Sequence, residues 1–465
     1  MSTSTKAATP RLTEIVGEAN YSTEPAQLSE YEIDEIRPSV AVRPDSSEEV
    51  AEIVRAAAAE KLAIVPCGAR TKLAMGLPPR KYDVALDLTR LDRVISYDPG
   101  DLTLSVEAGI PLHKLGKVLA EKGQFLPLAV PFSDRGTIGG TVASGVDSPL
   151  RQFFGTVRDF ILGMEFVTGE GAITRSGGRV VKNVTGYDLH KLMIGSLGTL
   201  GILTKINFRT FPLPLGTRAF IANFNTVDSA LDMRTRIAQS PLRPLTREVL
   251  SPSVADLFYS EAAGQIERNP LAPNILNSSS WAFTAGFAGT DDALCRCEGE
   301  VRNLAQECSA TSVTTLGADQ IPGAFGRKRE FIPIALAFSP AATILKIGVL
   351  PSKLKDILSE IQAAAEAESI RWAALARGLG IVYAALLPES KDDISCAKVA
   401  SAAARIQSAA ARLEGHATIP WCPGQWKSQL QIWGAERNDS PQMRKLKTIV
   451  DPHDILSPGR FAGGI

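Results

Sequence analysis

The chain has 465 residues, and 50 Lys and Arg balance 50 Asp and Glu, so it carries no formal net charge. That balance gives no global reason to bind nucleic acid or an anionic membrane, and no run approaches the roughly 18 apolar residues of a spanning helix. The length fits two or three domains with a sizeable core.

The polar opening MSTSTKAATPRLTE has no apolar segment of the kind a secretory leader carries, so a cytoplasmic location is expected. Residues 1–34 read as a tail with a short helix. From Arg37 the pattern becomes strand, loop, helix, strand. Ser46 or Ser47 is placed to cap that helix, and Glu48 and Glu49 suit its positive end. Ala63–Pro66 reads as a short buried strand. VALDLTRLDRVISYDPGDLTLSVEAG alternates with period two and predicts paired strands around Asp98–Asp101. PLHKLGKVLAEKG is an amphipathic helix with Gly123 as its C-cap. Residues 131–215 are rich in glycine and short strands, with a turn at Thr168–Gly171 and a strand over Ile202–Phe208.

The texture shifts at 216. RAFIANF, SWAFTAGFA, ATILKIGVL and GIVYAALL read as strands, and four long amphipathic segments between or after them read as helices. That order predicts an α+β domain over 216–430, with helices on one face of an antiparallel sheet. Residues 431–465 read as a helix broken at Asp451–Pro452, then a tail whose Ile455, Leu456 and Phe461 point to docking.

Six scattered cysteines (Cys67, Cys295, Cys297, Cys308, Cys396 and Cys422) form no CxxC pair. A disulfide framework, a zinc site or an iron–sulfur site made from this chain alone is not expected, and the pattern suits a reducing compartment.

Three glycine-bearing segments are candidates for chemistry. PCGARTKLAMG follows a strand and can turn several backbone N–H groups inward, a concavity that holds an anionic phosphate. Thr71 offers a hydroxyl there, and Arg70 and Lys72 offer charge. SDRGTIGGTVASGVDSP lets a flat or anionic ligand reach the backbone. GSLGTLGIL, downstream of Lys182, Asn183, Tyr187 and Asp188, reads as a turn entering a strand. Ordinary turns and close backbone packing are the alternatives for all three. None matches the dinucleotide GxGxxG or the P-loop GxxxxGK[ST].

In the order PxGxxTxxxxG, TIGGxxA, GTVRDFILG and KNVTGYDLHKLMIGSLGTLGILT, these segments resemble the FAD-binding domain of the vanillyl-alcohol oxidase (PCMH-type) flavoproteins. GGRVVKNVTGYDL and the tail DPHDILSPGRF resemble the FAD-binding E subunits of glycolate oxidase most. The resemblance covers residues 35–215 and the tail, and the middle only in layout. It implies an α+β fold: a two-part FAD-binding domain over 35–215, an α+β cap with an antiparallel sheet over 216–430, and a tail returning to the flavin.

The resemblance implies that Pro66, Cys67, Gly68, Ala69, Arg70, Thr71 and Gly76 cradle the pyrophosphate. It places Pro131, Thr137, Gly139, Gly140, Ala143, Ser144 and Gly145 along the pyrophosphate and flavin, with Arg158 nearby. Gly198, Gly201 and Ile202 would bring backbone against the adenine end. Ser457 and Arg460 would close near the flavin ring from the cap side. Some relatives attach flavin through a histidine at the position of Arg70 or a cysteine in the second segment. Here there is an arginine, and 133–145 contains neither His nor Cys, which implies non-covalent FAD.

Catalytic relatives carry clustered histidines that bind a metal. This chain has His113, His190, His416 and His453 far apart in sequence, and Tyr383 stands where the ligand histidine falls in ARGLGIVYAA. No metal is expected. Arg377 can offer a planar fork to a carboxylate, with Tyr383 beside it, and no general base is singled out. Three readings follow: an FAD-holding subunit of a glycolate oxidase-like complex, working with a catalytic flavoprotein subunit and an iron–sulfur subunit on a small 2-hydroxy acid and membrane-associated only through partners; a self-sufficient flavin dehydrogenase; and a structural subunit of the same fold.

Overall fold

The computed structural model describes residues 11–179 and 186–465. Two main sheets, with a two-stranded pair of Gln124–Phe125 and Phe211–Pro212, form the first half. In one, Val40–Val42, Val84–Asp87 and Ile64–Cys67 run parallel, with Val84–Asp87 in the middle. The crossover from Val40–Val42 to Ile64–Cys67 is the helix Ser47–Ala59, whose Val50, Ile53, Val54 and Ala57 are buried. Ser46 caps it by accepting from the amide of Glu49 at 3.1 Å. These strands are short apolar runs without alternation, as a covered parallel sheet requires. Tyr21–Ser22 pairs antiparallel with Val42–Ala41, so part of the segment read as a tail is an edge strand.

The other sheet is antiparallel, in the order Val94–Asp98, Thr103–Glu107, Ile202–Arg209, Ile161–Val167, Ile173–Gly177. The period-two stretch accounts for its first two strands. Between them and the rest lie the helices Leu112–Ala120 and Ile138–Ser144. The first stops at Ala120, and Gly123 lies beyond its end at φ 65°.

The second half is one eight-stranded antiparallel sheet, in the order Ser312–Leu316, Thr217–Phe224, Trp281–Ala288, Thr246–Leu250, Arg371–Arg377, Ile381–Leu387, Thr343–Gly348, His416–Trp421. It is two successive βαββαβ units, each a split βαβ, joined edge to edge where Thr246–Leu250 pairs with Arg371–Arg377. Four of these strands escape the sequence reading: Thr246–Leu250, Ser312–Leu316, Arg371–Arg377 and His416–Trp421.

The helices Val227–Gln239, Asp291–Glu307, Leu354–Ala367 and Asp393–Arg412 cover one face, where Ala364, Ala365, Ala402, Ala403 and Ala410 are buried in close packing. The expectation of helices on one face alone is incomplete. A second layer, Val254–Phe258, Glu261–Ile266, Ile321–Arg329 and Phe331–Phe338, packs on the opposite face, together with Met75, Val130 and Val146 of the first half.

The last helix, Ser440–Val450, ends before Asp451–Pro452, and the tail returns to the first sheet. Leu456 bridges Ile64 in parallel, Ile455 and Leu456 are buried, and the Phe461 ring lies 4.7 Å from that of Trp433. Buried Lys447 ties this junction. Its ammonium donates to the carbonyls of Thr199 (2.9 Å) and Leu456 (2.8 Å) and pairs with Asp451 (2.6 Å).

Candidate functional site

A cleft opens between the two sheets of the first half. Pro66–Leu73 and Leu88 line it from the parallel sheet. Ala108, Thr137, Gly139, Gly140, Ala143, Ser144 and Leu203 line it from the antiparallel side, and Leu197, Gly198, Gly201 and Arg460 complete the wall. All three glycine-bearing segments thus meet at one place, although they are far apart in sequence.

The first loop leaves Ile64–Cys67 and turns at Arg70, which adopts φ 61°. The amides of Ala69, Arg70 and Thr71 donate to no other protein group among the described residues. A backbone N–H without a partner is costly unless a ligand or water takes it. Arg70 gives the cleft its backbone rather than its charge, because its guanidinium pairs with Asp87 (2.9 Å) and Glu30 (3.0 Å) and lies over the Tyr31 ring. The charge comes from two other side chains. Arg460 is buried and donates to the carbonyls of Leu73, Met75 (2.6 Å) and Leu77, with no carboxylate paired to it among the described residues. Burial lowers its pKa to about 10. Lys72 lies over the Phe132 ring, and burial lowers its ammonium to about 8, with Glu330 pulling the other way. Unpartnered amides with two under-neutralised cations fit the pyrophosphate of a dinucleotide.

The second segment works differently. Thr137 caps the helix Ile138–Ser144, and its hydroxyl accepts from the amide of Gly140. The Gly139 amide donates to Ala108 O at 2.7 Å, and a Cβ at Gly139 would lie 2.7 Å from the Ala108 side chain. Gly139 therefore brings the helix onto the strand end, and a cleft-lining wall results.

The third segment is also settled by packing. Gly195 and Gly198 adopt φ 78° and 74°, and a Cβ at Gly198 would lie 2.5 Å from Pro66 Cγ. A Cβ at Gly201 would press on Phe166 and Met193. Glycine is required there by the positive φ of Gly198 and by the protein's own side chains, Pro66 above all, so the turn docks on the first loop. The part of this motif at 180–185, with Lys182 and Asn183, lies outside the described residues.

Six residues expected at the cofactor stand outside the wall. Gly76 (φ 81°) packs under Arg460 O, and Gly145 (φ 58°) ends its helix against Gly195. Pro131 is buried, and Ile202 belongs to the core beneath the parallel sheet. Arg158 is exposed and donates to Lys191 O. Ser457 is buried with its hydroxyl unpartnered. The tail lies on the first-loop side, not the cap side: Ser457 N donates to Ile64 O, and Gly459 packs on Arg80.

Arg377 and Tyr383 lie together, with the guanidinium 4.9 Å from the ring centroid, but the carboxylates that meet Arg377 are the protein's own. Asp147 accepts from it at 2.9 Å, and Glu248 lies at 3.7 Å. Burial works against the charge, yet Asp147 leads the groups that hold the guanidinium pKa above its usual value. Among the described residues, no group of three or more His, Cys, Asp or Glu is arranged to hold a metal ion. Sequence reasoning missed the apolar wall: Leu73, Leu88, Ala108, Leu197 and Leu203. Leu73, Leu197 and Leu203 lie in the glycine-bearing segments themselves, whereas Leu88 and Ala108 carried no signal.

The model of the FAD binding domain matches residues 38–177, and that of the FAD linked oxidases, C-terminal domain, matches 214–461. The chain is 24% identical to glycolate oxidase subunit GlcD of Bacillus subtilis over 98% of its own length and 97% of that subunit. It is 37% identical to glycolate oxidase subunit GlcE of Escherichia coli over 202 residues, 43% of this chain and 56% of that subunit. The crystal structure of p-cresol methylhydroxylase with substrate bound superposes with a TM-score of 0.79 at 17% identity, covering 99% of this chain and 97% of that one. No described helix is long and apolar enough to cross a membrane. The cleft, the two matched domains and the shared fold lead to one conclusion: this chain belongs to the FAD-linked oxidases, as an FAD-dependent oxidoreductase with a PCMH-type fold.

Proposed function

We propose that the chain is an FAD-holding subunit of the glycolate oxidase E type, binding FAD non-covalently in a complex that oxidises a small 2-hydroxy acid. One observation carries this reading. The cleft gathers residues of all three glycine-bearing segments, while the fork best suited to a substrate carboxylate, Arg377, is closed by Asp147 at 2.9 Å. When bound, FAD supplies two-electron redox chemistry that no side chain offers. The chain's own part is to hold that group. The amides of Ala69–Thr71 and the Arg460 guanidinium would hold its anionic portion, and the apolar residues from Leu88 to Leu203 would pack against it. Arg70 in place of a histidine, and 133–145 without His or Cys, support non-covalent attachment. The 37% identity to an E subunit supports the type, and with it a catalytic flavoprotein subunit and an iron–sulfur subunit as partners.

A second reading, a self-sufficient dehydrogenase, is favoured by the match to a D subunit along nearly its whole length. Anaerobic addition of glycolate and D-lactate to the FAD-loaded chain separates the two. The subunit reading predicts no bleaching by the chain alone and bleaching once a catalytic subunit is added. Bleaching by the chain alone overturns it in favour of the dehydrogenase.

A further inference from the structure

The cap contains a second cavity, of about 210 Å³, that shares no lining residue with the cofactor cleft. It lies between the sheet and the helix Ile321–Arg329. Its origin is legible in the side chains: the sheet presents Ala219, Thr246, Thr284 and Gly286, and the helix presents Ala324. All are too small to meet across the gap. Protein interiors otherwise pack to near-crystal density, and an apolar cavity of about 150 Å³ is large enough to take benzene.

One end is chemically distinct. Buried Lys328 lines it, donating to Thr284 Oγ1 at 3.0 Å and pairing with Glu248 at 2.8 Å. Glu248 faces Arg377, and Arg377 pairs with Asp147, which also meets Arg151 at 3.1 Å. Three cations, Lys328, Arg377 and the partly exposed Arg151, thus share two carboxylates, so no carboxylate belongs to Lys328 alone. Away from Lys328 the lining reaches the surface at Thr217, which is exposed, and includes half-buried Leu150.

We infer that this cavity binds a monocarboxylate with an apolar tail of about six to eight carbons, on the scale set by benzene in a smaller void. Its carboxylate meets Lys328 and Thr284, and its tail runs toward Thr217 and Leu150. The carboxylate takes the third N–H of the Lys328 ammonium, whose other two go to Thr284 and Glu248, and the tail supplies the contacts the small side chains forgo.

Calorimetry on the FAD-loaded full chain tests this with acetate, butyrate, octanoate and octanol as probes. The expected result is saturable octanoate binding at least tenfold tighter than butyrate, since each buried methylene contributes about 0.8 kcal/mol. Lys328→Met weakens octanoate at least tenfold and octanol less than twofold. Ala324→Phe, which fills the void, abolishes both while the melting transition is retained. A flat series from acetate to octanoate on the unaltered chain overturns the inference, whatever the variants do. So does unchanged octanoate binding in folded Ala324→Phe. Flavin retention is read separately by absorbance, so this outcome is independent of the proposed function.

Discussion

Arg377 of the cap and Asp147 of the glycine-bearing segment form a buried ion pair, Nη1 to Oδ2 2.9 Å, that joins the two halves of the chain. The pair shuts the candidate carboxylate fork and fastens the cap over the FAD-binding half. Removing one partner of a buried pair costs about 3–5 kcal/mol, because the other charge is left uncompensated. Asp147→Leu is expected to lose stability in that range. Asp147→Leu with Arg377→Met recovers a substantial part of it. Denaturant unfolding of the three variants measures the coupling.

Lys72 is expected to make FAD binding pH-dependent. Burial holds its ammonium at about 8, against the usual 10.5. Between those values the flavin-free folded chain binds fewer protons than the unfolded chain, so its stability rises with pH over that window. An anion in the cleft favours the ammonium, so FAD binding takes up a proton above about pH 8. FAD affinity should therefore fall as pH rises from 7.5 to 9.5, by roughly tenfold for one ion pair. The expected profile for Lys72→Met is flat and weaker throughout. Quenching of flavin fluorescence reads both.

Gly198→Ala tests why the third segment is glycine-rich. The new Cβ would sit 2.5 Å from Pro66 Cγ, in a backbone at φ 74°. The expected cost is about 1–3 kcal/mol of local strain, together with weaker FAD retention, because Pro66 begins the first loop. Gly178→Ala is the control, since its Cβ would meet nothing within 4 Å. Thermal melts and flavin content of both variants decide it.

Glu165 should dominate part of the acid limb of stability. Burial raises its carboxyl, but hydrogen bonds from Ser47, Arg175 and Lys205 outweigh that and hold it at about 2 against a usual 4.5. A depressed carboxyl stabilises the folded state above about pH 4.5, and this contribution is lost as pH falls toward 2. Glu165→Gln is expected to be less stable at pH 7 and flatter between pH 4.5 and 2, as followed by urea midpoints.

The sequence made the elements with strong local periodicity legible. Ser46 capped its helix, the 94–107 alternation became two strands, and the alanine-rich helices packed closely. It hid half of the cap sheet, because strands such as Arg371–Arg377 and His416–Trp421 begin and end in charged or bulky residues that blur a period of two. The cleft was readable where glycine and a strand end announce a turn, at Pro66–Thr71 and Thr137–Ser144. Of the charges expected there, Lys72 and Arg460 line the cleft and Arg70 is neutralised. Arg70 lies in the motif, but Asp87 and Glu30 neutralise it, while Arg460, nearly four hundred residues away, brings the unpaired guanidinium. Partners such as Asp147 for Arg377, or Thr199 for Lys447, depend on long-range packing and leave no local trace.

The central claim is that the cleft holds FAD without a covalent bond. The direct measurement is the visible spectrum of the purified chain, supplied with FAD if it emerges pale, before and after acid precipitation. The account predicts a flavin spectrum that passes entirely into the supernatant. Colour that stays with the precipitated protein would contradict non-covalent attachment, and a chain that takes up no FAD would contradict the cleft assignment itself.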